Sequence, residues 1–355
     1  MDAATQILLN HLRTLSGPTL WLVDEQIDAV AIGSVMARAD LFALSNRCDV
    51  VAMLAARGIA ATLCDFEFDK APAFQHALFR VAKEKALVHH AINAVLRRLP
   101  VGGTLAISGY KNDGTKTYIE KAGARAQAEV VIERDGGALL GIITRGESLS
   151  EALPDQDYAQ PRRIDFTESF CAWSKPGIFG WQKIDAGSAF LCEHLEQVWP
   201  QSSPGHVPKR VLDLGCGYGY LTLNAAAHWS SSYFVATDNN IAATQICERN
   251  IRERAIDGRA ECCDCGDDLI AKGETFDAIL CNPPFHQGFD HETALTEKFL
   301  QRTSRLLARG GRALFVVNQF IGLEKSAALL FKHVDVIARN KSFKLVVLEN
   351  NMRET

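Results

Sequence analysis

Apolar residues fall along this chain in short unbroken runs that alternate with longer stretches of helical repeat, the pattern of buried parallel strands separated by amphipathic helices. Residues 4–15 put their apolar side chains on one helical face, and Thr19-Leu-Trp-Leu-Val23 then reads as a buried strand ending at Asp24 and Glu25. No glycine turn follows that acidic end; the chain continues as Ala29-Val-Ala-Ile-Gly-Ser-Val-Met36. Val50–Leu54 and Ala60–Cys64 are strand-like, Asp65-Phe-Glu-Phe-Asp69 sits where a catalytic loop would fall, and a one-faced helix runs over 83–99. Pro100-Val-Gly-Gly103 turns into the strand Thr104–Ser108.

The same succession returns later. Leu99-Pro-Val-Gly-Gly-Thr-Leu-Ala-Ile-Ser-Gly109, with Lys116 and Glu120 after it, parallels Leu307-Ala-Arg-Gly-Gly-Arg-Ala-Leu-Phe-Val-Val-Asn318, with Glu324 and Lys325 after it. Helix, Gly-Gly turn, strand and helix recur in one order, although that unit is common in α/β proteins generally. The repeat favours two α/β domains of one type: residues 1–163, a copy that has lost its glycine and reactive loops and serves substrate positioning or stability, and residues 164–355. The stretch 145–163 holds Gly146, Pro154 and Pro161 without periodicity and reads as a surface linker.

The second half is easier to read. Residues 170–188 are aromatic and rich in turns, either an apolar cover on the sheet edge or a lid that presents rings to a base, and a helix is expected over 189–198. Val211–Leu214 is a buried strand that runs into Gly215-Cys-Gly-Tyr-Gly219 and a helix over 221–228. Ser232–Thr237 is a strand ending at Asp238, a helix follows over 242–254, and Arg259–Cys263 is a strand ending at Asp264. Phe276–Cys281 is the strand that delivers Asn282-Pro-Pro-Phe-His286, and Ser342–Leu348 reads as an antiparallel last strand.

A glycine turn between strand and helix lets backbone N–H groups and a helix N-terminus approach a cofactor closely. Asp238 can accept from both hydroxyls of a ribose, and Asp264 from an adenine amino group. A nicotinamide-binding turn asks for a small residue where Tyr220 stands, so Asp213-x-Gly-x-Gly-x-Gly219 points away from that class.

Composition narrows the classes further. The chain has 355 residues, 47% hydrophobic and 23% charged, and a net charge of −4. Lys and Arg number 16 against 19 Asp and Glu in residues 1–160, and 22 against 23 in the rest, so neither half is a basic module. A nucleic acid partner must therefore be held by local patches or shape. The ten cysteines lack the spacing of a secreted disulfide framework. No leader pattern opens the sequence and no apolar stretch is long enough for a membrane span. Cys262-Cys-Asp-Cys265 lacks a second ligand pair and reads as buried strand cysteines rather than a zinc site. His89-His90 reads as helix surface, His286 as either a substrate contact or a loop brace, and Arg302, Arg305, Arg309 and Arg312 as a solvated helix end.

With these residues in view, 205–350 resembles a class I S-adenosylmethionine-dependent methyltransferase domain, in which Asn-Pro-Pro-Phe marks enzymes that methylate planar exocyclic or amide nitrogens. Asn282-Pro-Pro-Phe-His286, Ile178-Phe-Gly180, Ile184-Asp-Ala-Gly-Ser188 and the degenerate first copy resemble, more narrowly, the bacterial ribosomal RNA guanine-N2 methyltransferases. The C type, which acts on the small ribosomal subunit, is the nearer pattern, and the G type, which acts on the large one, is a close relative. The resemblance implies two tandem Rossmann-like domains of α/β class, the N-terminal one degenerate. It implies S-adenosylmethionine bound by Asp213, Gly215, Cys216, Gly217, Gly219, Asp238, Asn239, Asp264, Cys265 and Asn282, with no metal. Asn282, Pro283, Pro284 and Phe285 would carry the chemistry. The Asn282 side chain and the Pro283 carbonyl would accept the amino hydrogens and turn the lone pair toward the methyl group. The prolines would stiffen the loop and Phe285 would stack on a flipped guanine. Ribosomal RNA or the small ribosomal subunit is the expected partner of a monomeric cytoplasmic protein. Transfer to large-subunit RNA, protein glutamine or DNA adenine, a catalytically idle RNA-binding assembly factor, and a nucleotide-binding oxidoreductase are the alternatives.

Overall fold

Strands buried on both faces need apolar side chains at every position, which is why the runs are unbroken. In the computed structural model, which describes residues 1–200, 207–284 and 289–350 with 289–294 in backbone alone, these runs become most of the strands. They are β1 (Thr19–Val23), β2 (Leu41–Ser45), β3 (Ala60–Leu63), β4 (His76–Arg80), β5 (Thr104–Tyr110), β6 (Val130–Asp135), β7 (Ala138–Thr144), β8 (Arg162–Asp165) and β9 (Cys171–Ser174). There follow β10 (Arg210–Leu214), β11 (Tyr233–Asp238), β12 (Gly258–Cys262), β13 (Phe276–Cys281), β14 (Leu307–Asn318), β15 (His333–Arg339) and β16 (Phe343–Glu349).

The chain divides into two compact units, Met1–Pro161 with Lys175–Gly177, and Arg162–Ser174 with Ile178–Thr355. Each holds one seven-stranded sheet, ordered β3-β2-β1-β4-β5-β7-β6 in the first and β12-β11-β10-β13-β14-β16-β15 in the second. Setting β10–β16 on β1–β7 makes the two orders the same, so the repeat seen around the Gly-Gly turns extends to the whole topology. The fold is α/β with two tandem Rossmann-like sheets. Trp21, Phe79 and Leu105 are buried in the first unit, and Leu212, Phe234, Ile279 and Phe315 in the second. β8 and β9 form a separate antiparallel pair.

Four expectations change. Val50–Leu54 lies in the helix Cys48–Ala56, with Val50 and Leu54 buried four residues apart on one face; a five-residue apolar run carries no period that tells strand from helix. One strand beside β1 is β2, whose five residues, all buried but Phe42, form a run too short to stand out in the sequence. The helix expected over 189–198 starts earlier and splits into Ala186–Cys192 and Leu195–Val198. His89 is fully buried with Nδ1 2.8 Å from the Pro154 carbonyl, and half-buried His90 has Nε2 3.2 Å from the Phe66 carbonyl, so the pair is not helix surface.

Candidate functional site

The second unit gathers the sequence-marked residues at the carboxyl ends of β10, β11, β12 and β13, where open α/β sheets bind ligands. Register puts them level with one another. Leu214 pairs with Thr237 and Asp213 with Leu280, which carries Gly215 to the height of both Asp238 and Asn282.

The glycine loop is held from below by backbone and from the side by Asp238. Gly215 and Cys216 both donate their N–H to the Thr237 carbonyl, at 2.8 and 2.9 Å, and Gly219 donates to Cys216 at 2.8 Å. Half-buried Asp238 accepts from Gly217 N–H at 3.0 Å through one oxygen and from Asn240 N–H at 2.9 Å through the other. Gly219 has φ +95°, and a Cβ there would stand 2.8 Å from Cys247 Sγ, so only glycine lets the loop enter the helix Tyr220–His228 this close to its neighbour. Above Gly215 and Gly217 a Cβ would meet nothing nearer than 3.9 Å, which leaves the face of the loop open.

Asp213 does different work from Asp238. It is fully buried, and its Oδ2 accepts from the N–H and hydroxyl of Thr222 at 3.0 and 2.7 Å, tying the strand to the helix that follows the loop. Burial pushes its carboxyl up to about 7. Asn239 lies between β11 and the helix Ile241–Glu253, which Asn240 caps through Ala242 N–H at 2.9 Å. Asp264 faces Lys298, which pairs with its Oδ2. Buried Cys265 takes a left-handed φ of +51°, and Cys216 is buried under the loop.

Asn282 follows β13 and is half-buried, Pro283 is buried and Pro284 exposed; Phe285 and His286 lie outside the described residues. The Asn282 amide nitrogen donates to Asp185 Oδ2 at 2.7 Å and to Ser188 Oγ at 2.8 Å. Asp185 also caps the helix Ala186–Cys192, its Oδ2 accepting from Ser188 N–H at 2.8 Å. In the sequence, Asp185 and Ser188 stand out only as part of a family resemblance. Their local signal is an Asp followed three residues later by Ser at a helix start, which predicts a cap and not a partner 97 residues away.

The aromatic stretch packs on the outer side of the glycine loop. Phe166 stacks on buried Tyr218 with centroids 4.9 Å apart, and Phe170 meets Tyr220 edge-on at 5.1 Å. Asn250 joins the two parts, donating to the carbonyls of Tyr218 and Trp173 at 2.8 and 3.0 Å and accepting from Trp173 N–H at 2.8 Å. Phe179 is 58% exposed. Among the described residues no cluster of His, Cys, Asp or Glu is gathered to hold a metal ion, and Cys263 and Cys265 are buried.

The first unit has the scaffold without the site. Its β1–β2 ladder ends at Val23↔Ser45, as the β10–β11 ladder ends at Leu214↔Thr237, and Leu22↔Phe79 answers Asp213↔Leu280. By that register Asp24 stands at the place of Gly215, Asn46 at that of Asp238 and Val81 at that of Asn282. Asp24 is fully buried, accepts from Gln26 N–H at 2.9 Å, and burial pushes it up to about 8. A buried carboxyl replaces the turn, and the Val81 side chain offers no acceptor.

Comparison with known proteins places these features. Residues 169–347, just over half the chain, match the family described as methyltransferase small domain. A ribosomal RNA small subunit methyltransferase C of Shewanella loihica is 24% identical over 348 residues, 96% of this chain and 97% of that protein. A ribosomal RNA large subunit methyltransferase G of Magnetococcus marinus is 35% identical over 180 residues, 49% of this chain and 44% of that protein. The T. thermophilus 16S rRNA N2 methyltransferase, solved in complex with AdoMet and guanosine, shares the fold. Its TM-score is 0.82 at 23% identity, covering 99% of this chain and 92% of that one.

Proposed function

The chain belongs to the methyltransferase small domain family, and on that footing we propose that it transfers a methyl group from S-adenosylmethionine to the exocyclic N2 of a guanine in small-subunit ribosomal RNA. The observation that carries the reading is the placement of Asn282 at the end of β13, level with Gly215 and Asp238 on the adjoining strands. The relative named for methylation of small-subunit RNA matches nearly the whole chain, whereas the one named for large-subunit RNA matches half, which favours the small subunit.

The residues fit the cofactor. The open face above Gly215 and Gly217 would accommodate it, Asp238 would hold the ribose, and Asp264 and buried Cys265 would hold the adenine. S-adenosylmethionine supplies an electrophilic methyl group on a sulfonium. A guanine amino nitrogen is a weak nucleophile because its lone pair is delocalised into the ring. Asn282 Oδ1 and the Pro283 carbonyl accept its two hydrogens, which turns the lone pair out of the ring plane. Two consecutive prolines fix φ, so these acceptors are in place before substrate arrives. Phe285, next in sequence, offers a ring for stacking, and a base in a duplex cannot enter such a site, so the guanine is flipped or unpaired. Asp213, Gly219 and Cys216 shape the loop, and Asn239 its outer edge. The first unit, residues 1–163 by the sequence division, positions substrate or stabilises the fold. The protein acts as a cytoplasmic monomer; among the described residues no helix is long and apolar enough to cross a membrane.

The test offers labelled S-adenosylmethionine with separated subunits, naked ribosomal RNAs and total protein from cells lacking this gene. Label recovered as N2-methylguanosine from small-subunit RNA is the expected result. Label in large-subunit RNA would move the substrate, and label in protein alone would overturn the RNA reading.

A further inference from the structure

An asparagine side chain serves this reaction only one way round. Its oxygen accepts the amino hydrogen of the substrate, whereas its NH2 group in the same place would confront that hydrogen with another. The two orientations fill nearly the same volume, so packing alone does not choose between them. Hydrogen bonding does.

We propose that Asp185 and Ser188 are positioning residues that lock the Asn282 amide with its oxygen toward the substrate, and thereby commit the site to an NH2 nucleophile. This rests on the reading of Asn282 as the acceptor for the guanine amino group. Nδ2 of Asn282 has two hydrogens and two partners, Asp185 Oδ2 at 2.7 Å and Ser188 Oγ at 2.8 Å. A carboxylate only accepts, so the reversed amide would set oxygen against oxygen beside Asp185. With both hydrogens spent, Oδ1 is the group left for the ligand. The carboxylate is itself fixed, because the same Oδ2 caps the helix Ala186–Cys192 through Ser188 N–H at 2.8 Å. Gly187 completes the arrangement: a Cβ there would stand 3.1 Å from Asp185 Oδ2 and 3.2 Å from the Phe343 ring, so a larger residue would press the carboxylate out of place. Asp185, Gly187 and Ser188 thus each have a separate reason to stand where they do, all directed at one amide.

Asp185→Asn tests this with little else disturbed, since asparagine caps helices as well as aspartate does. It has the same shape but no charge: with its oxygen at the Oδ2 place it keeps the cap and accepts from Asn282 more weakly, and with its NH2 there it gives up the cap and accommodates the reversed Asn282 amide. Expected for Asp185→Asn is a fall in kcat of about tenfold or more, with KM for RNA and the dissociation constant of S-adenosylmethionine unchanged within about twofold. Ser188→Ala removes one of two acceptors and should cost about three- to tenfold in kcat. In an Asn282→Ala background Asp185→Asn should have almost no further effect on kcat, because the group it orients is gone. An equal loss in both backgrounds, or a loss seated in cofactor affinity or melting temperature, would overturn the lock. Side-chain amide exchange of Asn282, followed by NMR in the asparagine-labelled protein, tests the lock without substrate. Slow exchange that Asp185→Asn accelerates supports it, and exchange as fast as a free amide sinks it. If the wild-type protein yields no N2-methylguanosine while the exchange is slow, the substrate assignment fails and the lock stands.

Discussion

Asn282 and Asp238 are both end-of-strand polar residues, but their partners separate their duties. Asp238 accepts from the Gly217 and Asn240 N–H groups and so holds the glycine loop, while Asn282 turns its amide nitrogen to Asp185 and Ser188 instead. On the proposed reading, truncating Asn282 removes an acceptor for the nucleophile and leaves the loop intact. Asn282→Ala is expected to lower kcat by about 10²-fold, the usual cost of one preorganised polar group in an active site, with cofactor affinity nearly unchanged. Single-turnover rates beside equilibrium binding of S-adenosylmethionine check it, and a loss confined to binding would assign Asn282 to the cofactor instead. Asp213, which the sequence places beside Asp238 in role, is closed off by Thr222 and serves the loop from beneath.

Among the elements, the join between β10 and the helix Tyr220–His228 depends on Gly219. Its positive φ disfavours any L side chain, and a methyl group would meet Cys247 Sγ at 2.8 Å on the neighbouring helix. Gly219→Ala is expected to cost about 1–3 kcal/mol, from backbone strain and overpacking together. Because the loop must shift to relieve it, cofactor affinity should fall along with the melting temperature. A variant that melts like wild type and binds equally well would show that the helix yields freely. The aromatic stretch works at the same level: Phe166, Phe170 and Trp173 back the loop through Tyr218, Tyr220 and Asn250, so their first duty is support.

Across the molecule, the first unit repeats the sheet order of the second and buries polar groups of its own. Lys175 pairs with Asp65, which also accepts from Tyr158 at 2.7 Å, all three nearly or fully buried. Burial raises the Asp65 carboxyl and lowers the Lys175 ammonium despite their attraction, so desolvation outweighs the pairing for both. Lys175→Met should destabilise the first unit by about 3–5 kcal/mol by stranding Asp65, while Asp65→Leu with Lys175→Met should recover most of that. Denaturant unfolding of the single and double variants decides it, and a double variant as unstable as the single would mean the pair is worth its burial. Asp24 gives a pH dependence. Its folded value near 8 lies above that of an unfolded carboxyl, so its contribution is fully present below about pH 4 and is lost as the pH rises toward 8. Buried His89 and His90 act the other way, but below their ordinary range. Between pH 7 and 8 the melting temperature should therefore fall, and Asp24→Asn should flatten that slope; an unchanged slope would place the titration elsewhere, Asp213 being the nearest candidate.

The α/β class, the repeat, the strand that ends in each acid, and the order of glycine loop, Asp238, Asp264 and Asn282 are all legible before any folding is considered, because each is written in contiguous residues. Unbroken apolar runs mark strands covered on both faces, and a glycine loop needs its glycines in a row. Where a run is short, as at Val50–Leu54, local pattern carries too little information and packing chooses the helix. What each polar group does is settled by the folded chain. Asp185 and Ser188 reach Asn282 across 97 and 94 residues of chain, Lys175 meets Asp65 across 110, and His89 turns from a helix surface into the core. A hydrogen bond depends on atoms about 3 Å apart in space, and residues that far apart along the chain are brought together by the fold alone.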